Sequence, residues 1–338
     1  MNAETQRPRV LSGMRPTGKL HLGNLVGALQ NWITFQNAWA GHSNSDCFYF
    51  VADWHMLTTD YADTSGLQSN IQEMVTDWLA AGLDPEKSTL FIQSRLPEHA
   101  ELCLLFSMIT PLGWLERVPT YKEQLENVRD KDLHTYGFLG YPVLQAADIL
   151  MYKADFVPVG EDQVAHVELT REIARRFNNF YGPIFPEPAD RLTHAPRLPG
   201  TDGRKMSKSY HNAIYLSDPP SVVSQKLATM ITDPARKRRT DPGNPDVCPV
   251  FDLHKVFSTP AEIERINREC RTAEIGCLEC KAILAKNVNA RLKPIQERRK
   301  AYEQEPQKVW TILEEGTQKA RSVAQATMTE VRKAMKLA

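Results

Sequence analysis

The sequence lacks several things that would narrow its role at once. Its 41 basic and 41 acidic residues leave no formal net charge, so bulk electrostatics does not mark a nucleic-acid binder, and any polyanion contact has to come from local clustering. It has no long hydrophobic run. The apolar, uncharged stretch Leu102 to Leu115 is too short to cross a bilayer and is broken by Pro111 and Gly113. Met1 to Arg9 is polar and lacks the apolar centre of a secretion signal. Internal repeats and low-complexity tracts are absent. These absences point to a cytoplasmic protein, where six cysteines suggest thiols or metal ligands rather than disulfides. What is present is an apolar fraction of 42%, enough for real cores, on a chain of 338 residues that suits two domains.

One stretch carries concentrated chemistry. Gly200-Thr-Asp-Gly-Arg-Lys-Met-Ser-Lys-Ser209 is a glycine-rich turn bearing Arg204, Lys205 and Lys208 between the hydroxyls of Ser207 and Ser209. Three cations on a flexible turn can close over a polyphosphate, although a solvated basic loop has the same composition. A second stretch lies far upstream. After a short apolar strand, Arg9 to Met14, the chain turns through Arg15, Pro16, Thr17 and Gly18. It then enters a helix with Leu25, Ala28, Leu29, Trp32 and Phe35 on one face. A strand, a glycine turn and a helix N-terminus make an anion site. His21, Gly23 and Asn24 stand where that helix starts.

Together, His-Leu-Gly-Asn at 21–24 and Lys-Met-Ser-Lys-Ser at 205–209 resemble the two signatures of class I aminoacyl-tRNA synthetases. The resemblance implies that both hold ATP, from opposite sides of one cleft.

The order of patterns agrees with a doubly wound α/β sheet. Cys47 to Ala52 is a continuous apolar run, as in a strand covered on both faces. Asp53 and His55 follow at its carboxyl end, where open α/β sheets bind ligands. A helix with Leu67, Ile71, Met74, Val75, Trp78 and Leu79 on one face ends at Gly82, and Ser88 to Gln93 is the next strand. Residues 98–152 read as a mostly helical insertion broken at Pro119 and Pro142. Val157 to Gly160 is a short β-branched strand, and Val167 to Phe177 an amphipathic helix. Past Pro220 helical patterns dominate, which places a catalytic domain over 1–220 and a helical domain over 221–338. The last helix has Ala320, Ala324, Met328, Val331 and Met335 on one face and must pack on something.

Asp148 sits between apolar neighbours, so its carboxylate must be paired or hydrogen-bonded; a salt bridge or a capping role would also serve. Tyr141-Pro-Val-Leu-Gln-Ala-Ala-Asp148, Val157-Pro-Val-Gly-Glu-Asp-Gln163 and His166-Val-Glu-Leu-Thr170 resemble the bacterial tryptophanyl-tRNA synthetases, and the likeness runs over nearly the whole chain. It implies that Asp148 accepts the indole N–H, that Tyr141 and Gln163 hold the α-amino end, and that Val157 and Val159 wall the ring, with His55 and Gln145 also in the tryptophan site. Gln145 stands where many members have methionine, and Arg15 where they have glutamine; a cation at Arg15 suits the substrate carboxylate or the phosphates. A buried acceptor that needs one N–H rejects phenylalanine strongly.

The implied reaction has two steps, formation of an aminoacyl adenylate from tryptophan and ATP and transfer to the terminal ribose of tRNA(Trp). His21, Asn24, Lys205 and Lys208 are the expected catalytic residues. Arg15, Pro16, Thr17, Gly23, Gly160, Glu161, Asp162, Leu198, Met206, Ser207 and Ser209 join Asn24, Lys205 and Lys208 as the expected ATP contacts, with Mg2+ carried on the nucleotide. The family is homodimeric, and the apolar surface around Leu102 to Leu115 and Tyr121 could form that interface. A tyrosyl-type synthetase, an adenylyltransferase that uses no tRNA and a non-catalytic Fe–S or tRNA-binding relative are the alternatives.

Cys248, Cys270, Cys277 and Cys280 form C-x21-C-x6-C-x2-C, four thiolates that suffice for zinc or a [4Fe–4S] cluster. Spacing alone does not choose. Some tryptophanyl-tRNA synthetases carry a [4Fe–4S] cluster at a closely similar spacing, which favours the cluster, with zinc as the alternative. Cys47 and Cys103 read as core residues. Arg236-Lys-Arg-Arg239 could meet tRNA phosphate or be a solvated turn.

Overall fold

The structure, a computed structural model, describes residues 8–38, 47–119, 121–122, 132–160, 163–192 and 197–337. A five-stranded parallel sheet lies at its centre: β1 (Val10–Met14), β2 (Cys47–Val51), β3 (Thr89–Ile92), β4 (Phe156–Val159) and β5 (Ala189–Leu192), in the order β3-β2-β1-β4-β5. The order reverses between β1 and β4, the switch point of a doubly wound sheet. The strand β5 was not expected in a stretch rich in proline and glycine. It is a four-residue edge strand carrying Asp190 and Arg191, and charge on an edge erases the apolar pattern while it guards against mispairing.

β1 and β4 meet at a single pair, Val10 with Phe156, whereas β1–β2 pairs over five residues and β4–β5 over four. The backbone gives the reason. Phe156 N–H donates to the Arg9 carbonyl at 3.0 Å. Two residues on, Pro158 faces the same neighbour with no N–H to offer, and the strands part, opening a cleft.

Both faces of the sheet are covered, which is why β2 reads as an unbroken apolar run. Cys47, Tyr49 and Val51 join one core, and Phe48 and Phe50 the other. The first face takes α1 (Leu22–Asn24), a π-helical turn at Leu25–Leu29, α2 (Gln30–Ala38) and α4 (Leu67–Ala81). The second takes α5 (Glu98–Ser107), α6 (Leu112–Leu115), α7 (Tyr136–Met151) and α8 (Val164–Tyr181). α3 (Asp53–Asp60) crosses the carboxyl end. The helix α7 runs through Pro142 instead of breaking there. The cost of the missing N–H is outweighed by burial of Phe138, Val143, Ala146, Ala147, Ile149 and Leu150 along the same helix.

From Pro220 on, every described element is helical: α9 (Pro220–Thr229), α10 (Pro249–Phe257), α11 (Pro260–Arg271), α12 (Cys277–Gln304) and α13 (Pro306–Ala334). Four of them start on proline, whose absent N–H costs nothing in a first turn. The helices α12 and α13 pack back on the sheet. Leu284, Val288 and Leu292 of α12 and Val309 and Leu313 of α13 enter the first core. Ala320, Ala324, Met328 and Val331, the stripe expected to pack on something, enter the second. Thus α13 wraps the edge strand β3. Among the described residues no helix is long and apolar enough to cross a membrane.

The helix α13 and β3 come close at Gly316, where a Cβ would lie 1.8 Å from the Leu90 carbonyl oxygen of β3. Gly316→Ala should therefore force α13 off the strand and cost about 2–3 kcal/mol. Thermal unfolding followed by circular dichroism should show the midpoint lowered by several degrees.

Candidate functional site

The cleft between the diverging β1 and β4 has a volume of about 470 Å³. Its floor is Leu11, Ser12 and Gly13 of β1. One wall is Val157, Val159 and Gly160, and the opposite wall is His55, Thr58 and Thr59 of α3 with Gly27 and Ala28 of the π-helical turn. That extra-wide turn, a feature common at functional sites, was not legible from the helical spacing of its residues. Tyr141, Gln145 and Asp148 of α7 and Gln163 close the inner end. All seven residues expected around tryptophan, namely His55, Tyr141, Gln145, Asp148, Val157, Val159 and Gln163, line this one cavity.

Asp148 is 1% exposed and is the most heavily donated group in the cleft. His99 Nδ1 lies 2.6 Å from one carboxylate oxygen and His55 Nε2 2.7 Å from the other, while Gln93 Nε2 reaches both at 2.8 and 2.9 Å. Burial alone would favour the neutral acid. The hydrogen bonds from His55 and His99 outweigh it and hold the carboxyl below its usual range. No lysine or arginine takes part in these contacts. Behind Asp148, His99 Nε2 pairs with the Tyr152 hydroxyl at 2.8 Å, and both rings are fully buried. Gln93, His99 and Tyr152 were missed in the sequence. The available signal was that polar side chains at the end of a strand and inside apolar helices need a common partner. Asp53, at the end of β2, does not line the cleft. It accepts from Ser94 N–H and Trp54 N–H, at 3.0 and 3.1 Å, and from the Ser94 hydroxyl, and so ties the ends of β2 and β3.

At the mouth the two signatures meet. Leu22 N–H donates to the Ile214 carbonyl at 3.0 Å and Leu216 N–H to the Leu20 carbonyl at 2.9 Å, with His21 bridged to Tyr215. The residues just after the lysine loop are thereby sewn to the first signature. His21 N–H donates to Asn24 Oδ1 at 3.0 Å. Gly23 lies under the His21 ring, 2.9 Å from where a Cβ would be, with Met206 beyond it. The loop itself is a tight hairpin. Met206 N–H donates to the Leu198 carbonyl at 2.9 Å, and Asn212 Oδ1 accepts from Ser207 N–H at 2.8 Å. The Ser207 and Ser209 hydroxyls pair at 2.8 Å.

Lys208 Nζ crosses the mouth and donates to the Thr17 carbonyl, the Thr17 hydroxyl and the Gly18 carbonyl at 2.8, 2.9 and 3.1 Å. Burial pushes its pKa down to about 8, with the charge of Asp77 opposing. The same burial, with the charges of Lys208 and Lys205 added, drives His21 down to about 4, so its imidazole is neutral at physiological pH. Its Nδ1 has no partner among the described residues. Lys205 is exposed beside it. Arg204, counted with the loop's cations in the sequence, is turned away: it pairs with Asp202 at 2.6 Å and stacks 4.3 Å from the Tyr210 ring. Arg15 lines the cleft and donates to Thr59 Oγ1 at 3.2 Å, with Pro16 buried behind it. Glu161 and Asp162 lie outside the described residues.

The four C-terminal cysteines converge from three helices. Cys248 caps α10, Cys270 ends α11, and Cys277 and Cys280 open α12. Burial pushes the Cys280 thiol up to about 12, and the neighbouring Cys248, Cys270 and Cys277 push in the same direction. His254 Nε2 is 3.3 Å from Cys280 Sγ. Among the described residues, however, no group of three or more His, Cys, Asp or Glu is placed to hold a metal ion. Arg236 and Arg239 do not project as a phosphate patch. They donate to the carbonyls of Ile275, Glu274 and Ala273, and Arg236 also to Cys270 Sγ at 3.6 Å, holding the turn between α11 and α12.

The chain matches the family described as tRNA synthetases class I (W and Y) over residues 3–293. It is 56% identical over 330 residues to a tryptophan–tRNA ligase of Thermotoga maritima, covering 97% of this chain and 99% of that one. It is 46% identical over 330 residues to one from Deinococcus radiodurans, covering 96% and 97%. Among solved structures it resembles a tryptophanyl-tRNA synthetase of Campylobacter jejuni complexed with ADP and tryptophan. That match has a TM-score of 0.84 and 32% identity, over 97% of this chain and 99% of that one.

Replacing Asp148 by alanine should strand the buried donors of His99 and Gln93 and cost about 3 kcal/mol at neutral pH, read as a lowered urea midpoint. The folded-state pKa lies below the unfolded one, so this stabilisation is present above the ordinary carboxylate pKa. It fades as the pH falls through the folded value, and the gap between wild type and variant should narrow in acid.

Proposed function

The chain belongs to the class I tRNA synthetases for tryptophan and tyrosine, among the tryptophan–tRNA ligases, and we propose how its residues share the reaction. Tryptophan is activated by ATP with release of pyrophosphate and then passed to the terminal ribose of tRNA(Trp).

Tryptophan takes the inner end of the cleft with its indole N–H on Asp148. That acid is already fully supplied with donors, so the indole takes the place of one. His55 is the replaceable donor, because it faces the cleft and is 12% exposed whereas His99 is fully buried. His99 and Gln93 then keep the acceptor fixed. Tyr141 and Gln163 hold the α-amino group, Val157 and Val159 wall the ring, and Gln145 lies beside it. Phenylalanine has no N–H to give, and the tyrosine hydroxyl sits in another place on a smaller ring.

ATP lies across the mouth, held by Arg15, Pro16, Thr17, Gly160, the backbone at Leu198, and Met206, with Gly23 leaving room for the nucleotide. The same role is proposed for Glu161 and Asp162. The tryptophan carboxylate oxygen attacks the α-phosphorus, the bond to the bridging oxygen breaks, and pyrophosphate leaves with its Mg2+. No covalent enzyme intermediate is needed. Catalysis rests on positioning and on charge aimed at the phosphates. Neutral His21 and Asn24 donate from one side; Lys205 and Lys208, with the hydroxyls of Ser207 and Ser209, act from the other. The observation that carries this reading is Lys208 Nζ resting on the Thr17 and Gly18 carbonyls. Those oxygens stand where phosphate oxygens take over when ATP binds.

Pyrophosphate exchange should proceed with tryptophan and be at least about a thousandfold slower with tyrosine. Lys208→Ala should slow adenylate formation by about two to three orders of magnitude while tryptophan affinity stays within about twofold. Because burial lowers the Lys208 pKa to about 8, the cation is lost as the pH rises through that value. kcat/KM for ATP should fall on that alkaline limb, and kcat, measured with phosphate bound, should fall at a higher pH. Exchange unchanged in the variant would remove Lys208 from the chemistry.

The remaining roles are proposals of the same kind. The helical segment from about Ser221 reads the tRNA anticodon region. Leu104, Met108 and Leu112 are 57, 67 and 62% exposed, apolar surface within 102–115 that supports a homodimer, and the protein acts in the cytoplasm. The convergence of Cys248, Cys270, Cys277 and Cys280 from three helices supports an occupant there, for which a [4Fe–4S] cluster is proposed. Bound there, it would tie α10, α11 and α12 together. Anaerobic purification should give a brown protein with iron and sulfide in equal amounts; a colourless protein containing zinc would replace the cluster with zinc, and a metal-free one would remove both.

A further inference from the structure

The turn that carries the first signature is not held up by its own strand. It lies on α4. Gly18, in the left-handed region at φ +85°, sits over Asn70, whose Oδ1 is 2.8 Å from where a Cβ would be. Two helical turns further along the same face, Asp77 Oδ2 accepts the backbone N–H of Leu20 at 2.7 Å. The Leu20 carbonyl is fixed on its other side by Leu216 N–H. Leu20 immediately precedes His21, and Thr17 and Gly18 are the residues that Lys208 Nζ touches.

Asp77 is fully buried, and its second oxygen is taken by a residue from far along the chain. Arg299 Nη1, on α12, donates to Asp77 Oδ1. The Arg299 side chain is 4% exposed and is surrounded by acids: Nη2 pairs with Glu73 and Nε with Glu303 at 2.8 Å. The adjacent Arg298 Nε donates to the Ala80 carbonyl near the end of α4 at 2.6 Å. Two consecutive arginines therefore fasten α12 along α4. Burial raises the Asp77 pKa to about 6 against the opposing charge of Arg299. Without Arg299 that acid would be a lone buried carboxylate, which a protein interior does not keep charged.

The geometry points to Arg299 and Asp77 as positioning residues for adenylate formation: one buried ion pair that connects helix α12 to the backbone of Leu20 and so sets where His21 and the Lys208 acceptors stand. The inference rests on the proposed role of the two signatures in holding ATP. It gives α12 a function in the nucleotide half-site, although α12 lines no part of the cleft. Among the described residues, the hydrogen-bond partners of Asp77 and Arg299 include none of those around Asp148 in the tryptophan half-site, which is built from α3, α5, α7 and β4. A shift of the turn by a fraction of an ångström should therefore act on ATP alone.

The test is tryptophan-dependent pyrophosphate exchange on the full-length protein with Arg299→Lys, Arg299→Met and the double variant Asp77→Leu/Arg299→Met. The double variant strands no charge and keeps a packed interior, so it is the one expected to stay folded. For Arg299→Met and the double variant, KM for ATP should rise, or kcat fall, by about tenfold or more. The dissociation constant for tryptophan, measured by equilibrium dialysis, should stay within about twofold. Arg299→Lys should recover part of the loss, since an ammonium restores the charge but not the two-pronged hold on Asp77 and Glu73. A folded double variant with wild-type ATP parameters would overturn the proposal, as would equal loss of tryptophan and ATP affinity, which is the mark of general loosening. Absence of tryptophan-dependent exchange in the wild type would instead overturn the assignment of the ATP site, with the ion pair untouched by that result.

Discussion

The parting of β1 from β4 is the constraint from which the site follows. Two parallel strands that stayed paired along their length would leave no room at the switch point. Pro158 removes the N–H that the next ladder bond requires, and a single pair, Val10 with Phe156, is all that joins the two strands. The opened edges expose β1 backbone and β4 side chains to one cavity. Helices from both faces of the sheet then deliver α3, the π-helical turn and α7 to its walls.

Each end of that cavity depends on a carboxylate withdrawn from water. Asp148 at the inner end and Asp77 beneath the mouth are both essentially unexposed, and each survives there because donors surround it. Their surroundings push them in opposite directions. Histidine donors hold Asp148 low against its burial, whereas burial lifts Asp77 despite Arg299. The first is an acceptor with one donor facing the cleft, suited to exchange with an indole. The second has no cleft-facing donor and is suited to holding backbone in place.

Between them lie the cations proposed to meet phosphate. Burial makes Lys208 a weaker base and His21 a neutral one, so positive charge is concentrated on the lysine loop and the first signature contributes directed N–H groups. The loop's own arginine is retired to Asp202 and Tyr210. Asn212 performs a comparable structural task, holding the backbone of Lys205 and Ser207 so that the loop presents a fixed shape.

Much of this was legible in the linear sequence. Unbroken apolar runs at Cys47 and Thr89 foretell strands covered on both faces, because nothing in such a run tolerates water. The glycine, lysine and hydroxyl composition of 200–209 suits a phosphate loop and equally a solvated basic turn, and only its pairing with His-Leu-Gly-Asn at 21–24 gave it a role. Asp148 among alanines and leucines announces a buried acceptor. The resemblance carried by 141–148 and 157–163 implied a tryptophan site, and the residues it pointed to line one cavity. Tertiary structure alone decided the rest. Arg204, Arg236 and Arg239 have the charge of phosphate ligands in sequence, but a local carboxylate and local carbonyls claim them. Pro142 looks like a break, yet the burial along α7 overrides it. His99, Gln93 and Arg299 are ordinary residues until long-range packing brings them to Asp148 and Asp77. A partner 222 residues away leaves no periodic trace, because what selects it is the cost of an unpaired buried charge, and that cost exists only once the chain has folded.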